Sequence, residues 1–219
     1  MLVVSKCSKR IVVVSNKSNI RGDTLIEVLF AIMVFSLVAV SSMSIMNQGT
    51  ATAQLALEIT LVRQGIDAQA ETLRFLHSSY IASDKTRVPD PANPLPADQW
   101  TKISDKAGSD VSEFGTCPLP PPSNSFILNT KTAKFVKPTG SDAPISAITF
   151  SQVVYDDPSN PDVFKSAQGI WIEAVRVRPD VPNQNHVGYI DFHIRACWRS
   201  PGRSVPVTLG TIVRLYEPY

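Results

Sequence analysis

From Thr24 to Met46 the chain reads TLIEVLFAIMVFSLVAVSSMSIM, 23 residues with one charge, Glu27, and no glycine or proline. As a helix rising about 1.5 Å per residue, this run covers roughly 35 Å, enough to cross the hydrocarbon core of a bilayer. It is too long for the apolar part of a cleaved signal peptide, and its best small-residue exit, Ala39-Val40-Ser41, lies deep inside it. The pattern predicts a membrane-spanning helix. From Leu55 the apolar positions continue at Ile59, Val62, Ile66, Ala70, Leu73, Leu76 and Tyr80, in steps of three and four. That spacing is the single stripe of an amphipathic helix, with Glu58, Arg63, Gln64, Asp67, Gln69, Glu71 and Arg74 expected on its water side. No proline occurs between Asp23 and Val88. Gly49 and Gly65 each weaken a helix by about 1 kcal/mol relative to alanine without ending it. One helix is expected over 23–82, membrane-embedded over 23–46 and docked on a domain in its second half.

The character changes over 84–145, where ten of the 17 prolines fall, Pro120-Pro121-Pro122 among them. Regular structure there can only be short, so an ordered loop region is expected, packed through Trp100, Phe114, Phe126, Ile127, Leu128 and Phe135. Over 146–217 the period drops to two. Ile148, Phe150 and Val154 alternate with polar positions, Ile170–Val177 is rich in β-branched residues, and Val205, Val207, Leu209, Val213 and Leu215 mark a last strand. Tyr189–Trp198 alternates strictly, with Ile190, Phe192, Ile194, Ala196 and Trp198 on one face. Tyr189, Asp191, His193, Arg195 and Cys197 fall on the other. An antiparallel sheet of about four strands follows, and its apolar face needs the helix stripe as a partner. The predicted fold class is α+β: a long N-terminal helix, half transmembrane and half amphipathic, laid on a C-terminal antiparallel sheet. Residues 83–219 would form the head.

The net charge of +2 hides an asymmetry. Residues 1–22 carry Lys6, Lys9, Arg10, Lys17 and Arg21 with no acid, a charge of +5, which leaves the remainder at −3. A basic head on an acidic body gives no basic patch for phosphate recognition, so no nucleic acid is expected as a partner. It is the distribution that holds a segment at the cytoplasmic face of a membrane. Of the three cysteines, Cys7 lies in the basic head, and Cys117 and Cys197 lie in the body. In an exported body these two would form one bridge closing a loop of about 80 residues, worth roughly 4–5 kcal/mol. In a reducing compartment they would stay thiols.

Glu27 is out of place in an apolar helix. A carboxylate inside a spanning helix costs about 2.5–3.5 kcal/mol on insertion scales, and such groups usually have a partner and a purpose. A free α-amine produced by cutting after Gly22, in the same chain or a neighbour, would serve. Gly22-Asp23-Thr24-Leu25-Ile26-Glu27, between a basic head and an apolar run, resembles the cleavage junction of the type IV prepilin family, including type II secretion pseudopilins. The resemblance covers residues 1–50 in sequence and most of the remainder in architecture. It implies a pilin fold, a leader over 1–22, cleavage between Gly22 and Asp23 by a membrane-bound prepilin peptidase, and N-methylation at Asp23. It also implies an inner-membrane assembly platform and a filament in which Glu27 neutralises the amine of an adjacent subunit. The leader would be cytoplasmic and the head extracytoplasmic, ending in a pilus at the cell surface.

Asp23 stands where the family usually has Phe or Met, and Ser44 where many pilins have a proline. With a body of almost 200 residues, these departures favour a minor pilin or pseudopilin over a bulk subunit. The other reading is a single-pass anchored domain, adhesin or enzyme, that does not polymerise. It accounts for the basic head and the apolar run but not for Glu27 at this spacing. Chemistry is otherwise thinly represented. Asp191, His193 and His186 are close in sequence, but two ligand types without a third are more often a solvated strand face, so no metal, cofactor or catalytic residue is expected. No phosphate-binding glycine loop, His-Glu-x-x-His or nucleophile elbow occurs in the sequence.

Overall fold

The proline-free stretch becomes one 60-residue helix, α1 (Asp23–Ala82), in a computed structural model of the protein. The structure describes residues 23–84, 86, 88, 90, 94–113, 117, 118, 122, 124–136, 147, 149–155, 163–177 and 188–217. The expected leader with Gly22 and Cys7, and Phe114, Ile148, His186 and Pro120-Pro121, lie outside the described residues. After Gly49 the chain divides into two compact units, Met1–Gly49 and Thr50–Tyr219.

In the second unit α1 is followed by a short helix, α2 (Pro96–Ser104), and seven strands. These are β1 (Ile127–Asn129), β2 (Lys134–Val136), β3 (Gln152–Tyr155), β4 (Phe164–Gln168), β5 (Ile170–Val177), β6 (Tyr189–Trp198) and β7 (Val207–Tyr216). The layout is α+β, but the strands form three antiparallel sheets: β1-β2, β3-β4 and the meander β5-β6-β7. The expected single sheet of about four strands is therefore corrected to three strands plus two separate hairpins. β4 carries little hydrophobic signal (FKSAQ). Gly169, at φ +63°, then turns the chain so that β5 starts a different sheet. A Cβ there would lie 2.2 Å from the Cys197 carbonyl oxygen, so the position needs glycine. The last strand begins at Val207, and Val205 is exposed. Pro206 between them has no N–H to donate to a ladder.

The core forms where the stripe of α1 meets the even-numbered face of β6. Val62, Ile66, Ala70, Leu73 and Leu76 are buried together with Ile190, Phe192, Ile194, Ala196 and Trp198. The proline-rich region closes one end. Pro96 starts α2 at a position where a missing N–H costs nothing, and the Leu95 N–H donates to Asp98 Oδ2 at 2.8 Å. Trp100 on this helix meets His77 of α1 at 4.8 Å and Phe192 of β6 at 5.7 Å between ring centroids. Phe126 bridges Phe192 and Phe135 in turn. The region expected as loop thus supplies a helix and a hairpin to the core.

Two polar residues assigned to the water side of α1 belong to the core side. The Gln69 side chain is fully buried, with Nε2 donating to the Leu128 carbonyl (2.8 Å) and Oε1 accepting from the Leu128 N–H (3.0 Å). Its amide thereby acts as a strand partner for β1. Glu58 Oε2 accepts from Trp198 Nε1 at 2.9 Å. Both positions flank the apolar stripe, where a polar group is admitted only because it has a partner to satisfy. Gln69→Leu should lower the unfolding free energy of the head by about 2–4 kcal/mol, since it strands two buried backbone groups. Denaturant unfolding of the full chain in detergent, followed by tryptophan fluorescence, measures this.

Candidate functional site: the apolar helix segment and the covered sheet face

Two places in the chain carry chemistry beyond packing. The first is the apolar part of α1. Its large side chains from Leu25 to Met46 are all exposed, and none of its most hydropathic 18-residue stretch is buried by protein. It is the single helix among the described residues long and apolar enough to cross a membrane. Three of the hydroxyls within it are satisfied inside the helix. Ser36, Ser41 and Ser42 donate to the carbonyls of Ile32, Leu37 and Val38 at 2.7, 2.7 and 2.8 Å. Returning each hydroxyl to the preceding turn is what a helix needs where no water is present. Glu27 differs. Its side chain is exposed, no described cation pairs with it, and the next charge along the chain is Glu58. Asp23 opens the helix one residue past Gly22.

The second place is the face of the β5-β6-β7 sheet opposite the core. Here a strap over 107–113 and the disulfide beyond it cover β5 and β6. Gly108 pairs with β5 through its N–H to the Ala174 carbonyl (2.9 Å) and its carbonyl to the Arg176 N–H (3.0 Å). Ser112 then meets Glu173 twice, its N–H at Oε2 (2.7 Å) and its hydroxyl at Oε1 (2.6 Å). Trp171 Nε1 donates to the same Oε1 at 2.7 Å. Opposite on β6, Arg195 Nη1 donates to the Ser112 carbonyl at 2.6 Å and lies 3.7 Å from Glu173 Oε1. Glu173 and Arg195 are both almost fully buried. Cys117 and Cys197 form a disulfide with Cα atoms 5.8 Å apart.

Burial pushes the Glu173 carboxyl up, but the Ser112 and Trp171 donors and the Arg195 charge outweigh it and hold it below the ordinary value. The strand-face pair Asp191 and His193 does not form a site together. Asp191 accepts from Arg214 Nε and Nη2 at 2.8 Å each, which holds its carboxyl below the usual range. His193 is held low, first by burial and then by the Arg195 charge. No group of three metal-ligating side chains occurs among the described residues. An open cleft of about 320 Å³ between α1 and the β1-β2 hairpin is lined by Glu71, Thr72, Phe75, Thr130, Lys131 and Ala133. Its carboxylate is engaged by Arg74, and it brings no nucleophile and base together.

Compared with known proteins, the chain matches no family model, no curated protein and no solved structure. Function therefore has to be argued from the two places themselves. Sequence reasoning located Glu27, Cys117 and Cys197 but missed Ser112, Glu173 and Trp171. A glutamate in a β-branched strand, diagonal to an arginine of the next strand, was the available signal.

The lowered Glu173 value sets a pH dependence. A carboxyl held low in the folded state contributes stability above its unfolded value, and that contribution is lost as pH falls through the folded value. The strap should therefore be fully protected above the ordinary glutamate value of 4.5 and open progressively below it. Hydrogen exchange of the 108–113 amides across pH 6 to 3, corrected for intrinsic rates, tests this. In Glu173→Gln the acid-dependent step should disappear.

Proposed function

We propose that this chain is a minor subunit of a type IV pilus or a related pseudopilus. In this reading it is made with a cytoplasmic leader over 1–22, cut between Gly22 and Asp23 by a prepilin peptidase, and N-methylated at Asp23. The helix then holds the subunit in the bilayer until an assembly platform transfers it into a filament. The observation that carries the reading is the conjunction at the start of α1. A glycine junction follows a basic head, and a helix with no protein around its apolar surface carries one carboxylate, Glu27, near its beginning.

The physical logic runs from that carboxylate. An apolar helix leaves lipid readily only for surroundings as dry as lipid, which other copies of such a helix provide. In those surroundings an unpartnered charge is expensive, and a new α-amine at Asp23 and the Glu27 carboxylate remove each other's cost across neighbouring subunits. The head, built on an antiparallel sheet, fits the resemblance but is shared by many unrelated proteins, so the junction bears the weight.

Intact mass and N-terminal sequence of protein purified from its native membranes test the reading. A chain beginning at Asp23, with or without one added methyl group, is expected. A chain beginning at Met1 would overturn it and leave a single-pass anchored domain. Glu27→Ala should insert into the membrane normally while its incorporation into filaments falls by at least about tenfold, the effect of losing roughly 1.4 kcal/mol of pairing. Quantitative blotting of sheared filaments against membranes reads that ratio.

A further inference from the structure

The strap poses a problem of order. Closing a disulfide between residues 80 apart from an unfolded loop is slow. Something has to bring Cys117 to Cys197 before the bond exists. Cys197 is already fixed, because its N–H donates to the Gly169 carbonyl at 2.7 Å and the Ser151 hydroxyl lies 2.9 Å from both the Gly169 and Cys197 carbonyl oxygens. Cys117 has no such seat in a regular element. Five residues before it stands Ser112, held by Glu173 from β5 and by Arg195, two residues before Cys197 on β6.

We propose that Ser112, Glu173 and Arg195 form a polar clamp that positions Cys117 over Cys197 and so raises the effective concentration at which this disulfide closes during oxidative folding. This goes beyond the filament reading and does not depend on it, since it concerns the head alone. With the clamp made, the ring that the disulfide closes is about seven residues, five along the strap and two along β6. Without it, the ring runs through the Phe126 pair with Ile172 of β5 and is about 12 residues, nine from Cys117 to Phe126 and three along β6 from Ile194. Loop-closure scaling with the three-halves power of length makes the difference worth about 2-fold in the effective concentration of one thiol at the other. Measured through the Gly108 pair with β5 instead, the ring is about 15 residues and the clamp is worth about 3-fold. Glu173 and Ser112 are thus positioning residues, and the reaction itself belongs to the two sulfurs.

The step is ordinary thiol–disulfide exchange with a small-molecule disulfide as oxidant. One cysteine thiolate attacks a sulfur of oxidised glutathione, releasing one glutathione thiol and leaving a mixed disulfide. The second cysteine thiolate attacks the protein sulfur of that bond and releases the other glutathione. Two protein thiols lose two protons and two electrons, and one oxidised glutathione becomes two reduced molecules.

The test equilibrates the full chain in detergent with fixed ratios of reduced and oxidised glutathione, blocks free thiols, and counts the Cys117–Cys197 linkage by peptide mass mapping. Glu173→Gln and Ser112→Ala should lower the effective concentration of the pair about 2- to 3-fold, with Ser112→Thr restoring it. Gln69→Leu, which weakens the core without touching the strap, should leave the value unchanged within replicate error. Circular dichroism of the reduced proteins checks that each variant is folded. If Glu173→Gln does not fold, Ser112→Ala decides the matter. Values equal to that of the unaltered chain within replicate error for the folded clamp variants would overturn the proposal, as would an equal shift in Gln69→Leu.

Discussion

Apolar helix surface has to leave water, and α1 carries more of it than the head can take. The stripe from Val62 to Leu76 is satisfied by the sheet, whose even-numbered β6 residues lie against it. The side chains from Leu25 to Met46 have no protein to lie against. They surround the helix on all sides, which is the pattern of a segment immersed in an apolar medium and not of one docked along a single face. The hydroxyls of Ser36, Ser41 and Ser42 obey the same constraint by turning back onto their own helix. Glu27 is the one charge of the segment, which is why it is the residue from which a function is argued.

Within the head, the two faces of the sheet are covered by opposite means. Against α1 the cover is hydrophobic and self-driven, each buried side chain contributing on the order of 1.5–3 kcal/mol. Against the strap it is polar, and the buried Glu173–Arg195 pair must recover its desolvation from Ser112, Trp171 and their mutual attraction. Such a network has a small net margin, and a short segment has little apolar area to add. A covalent bond at the end of the strap supplies what that chemistry lacks, by restricting the open state. The disulfide therefore sits where hydrophobic packing gives way to a buried charge.

The periodic elements were legible because period is a property of one segment. The 3.6-residue stripe of α1 and the alternation of β6 both appear in the structure, with Val62, Ile66, Ala70, Leu73, Leu76 and the even residues of β6 buried and Ile59 and Tyr80 packed against them. What was not legible depends on partners that the local pattern does not name. Gln69 was placed in water because it is polar, yet the buried middle residue of β1, Leu128, made its amide a core group. The prolines of 84–145 were read as a group that keeps regular structure short, although Pro96, at the first turn of α2, starts a helix. The strap was invisible because its bonds join 112 to 173 and 195, and no local pattern marks such a pairing. The disulfide was anticipated from the compartment of an exported body with two cysteines, and the structure brings the two together.

Strand β6 gathers these demands in alternate residues. Its even positions are apolar and fill the core, and its odd positions hold Asp191 on Arg214, Arg195 on the strap and Cys197 on Cys117. A slip of one residue would drive Arg195 and Asp191 into the core and present Phe192 and Ile194 to the strap. It would also turn Cys197 away from Cys117. Only the native register can therefore form the bond, and the bond in turn holds a register that hydrophobic alternation alone would choose but not make irreversible. That coupling explains why the odd face of a ten-residue strand, which a simple meander leaves to water, is instead tied down by charge and by sulfur.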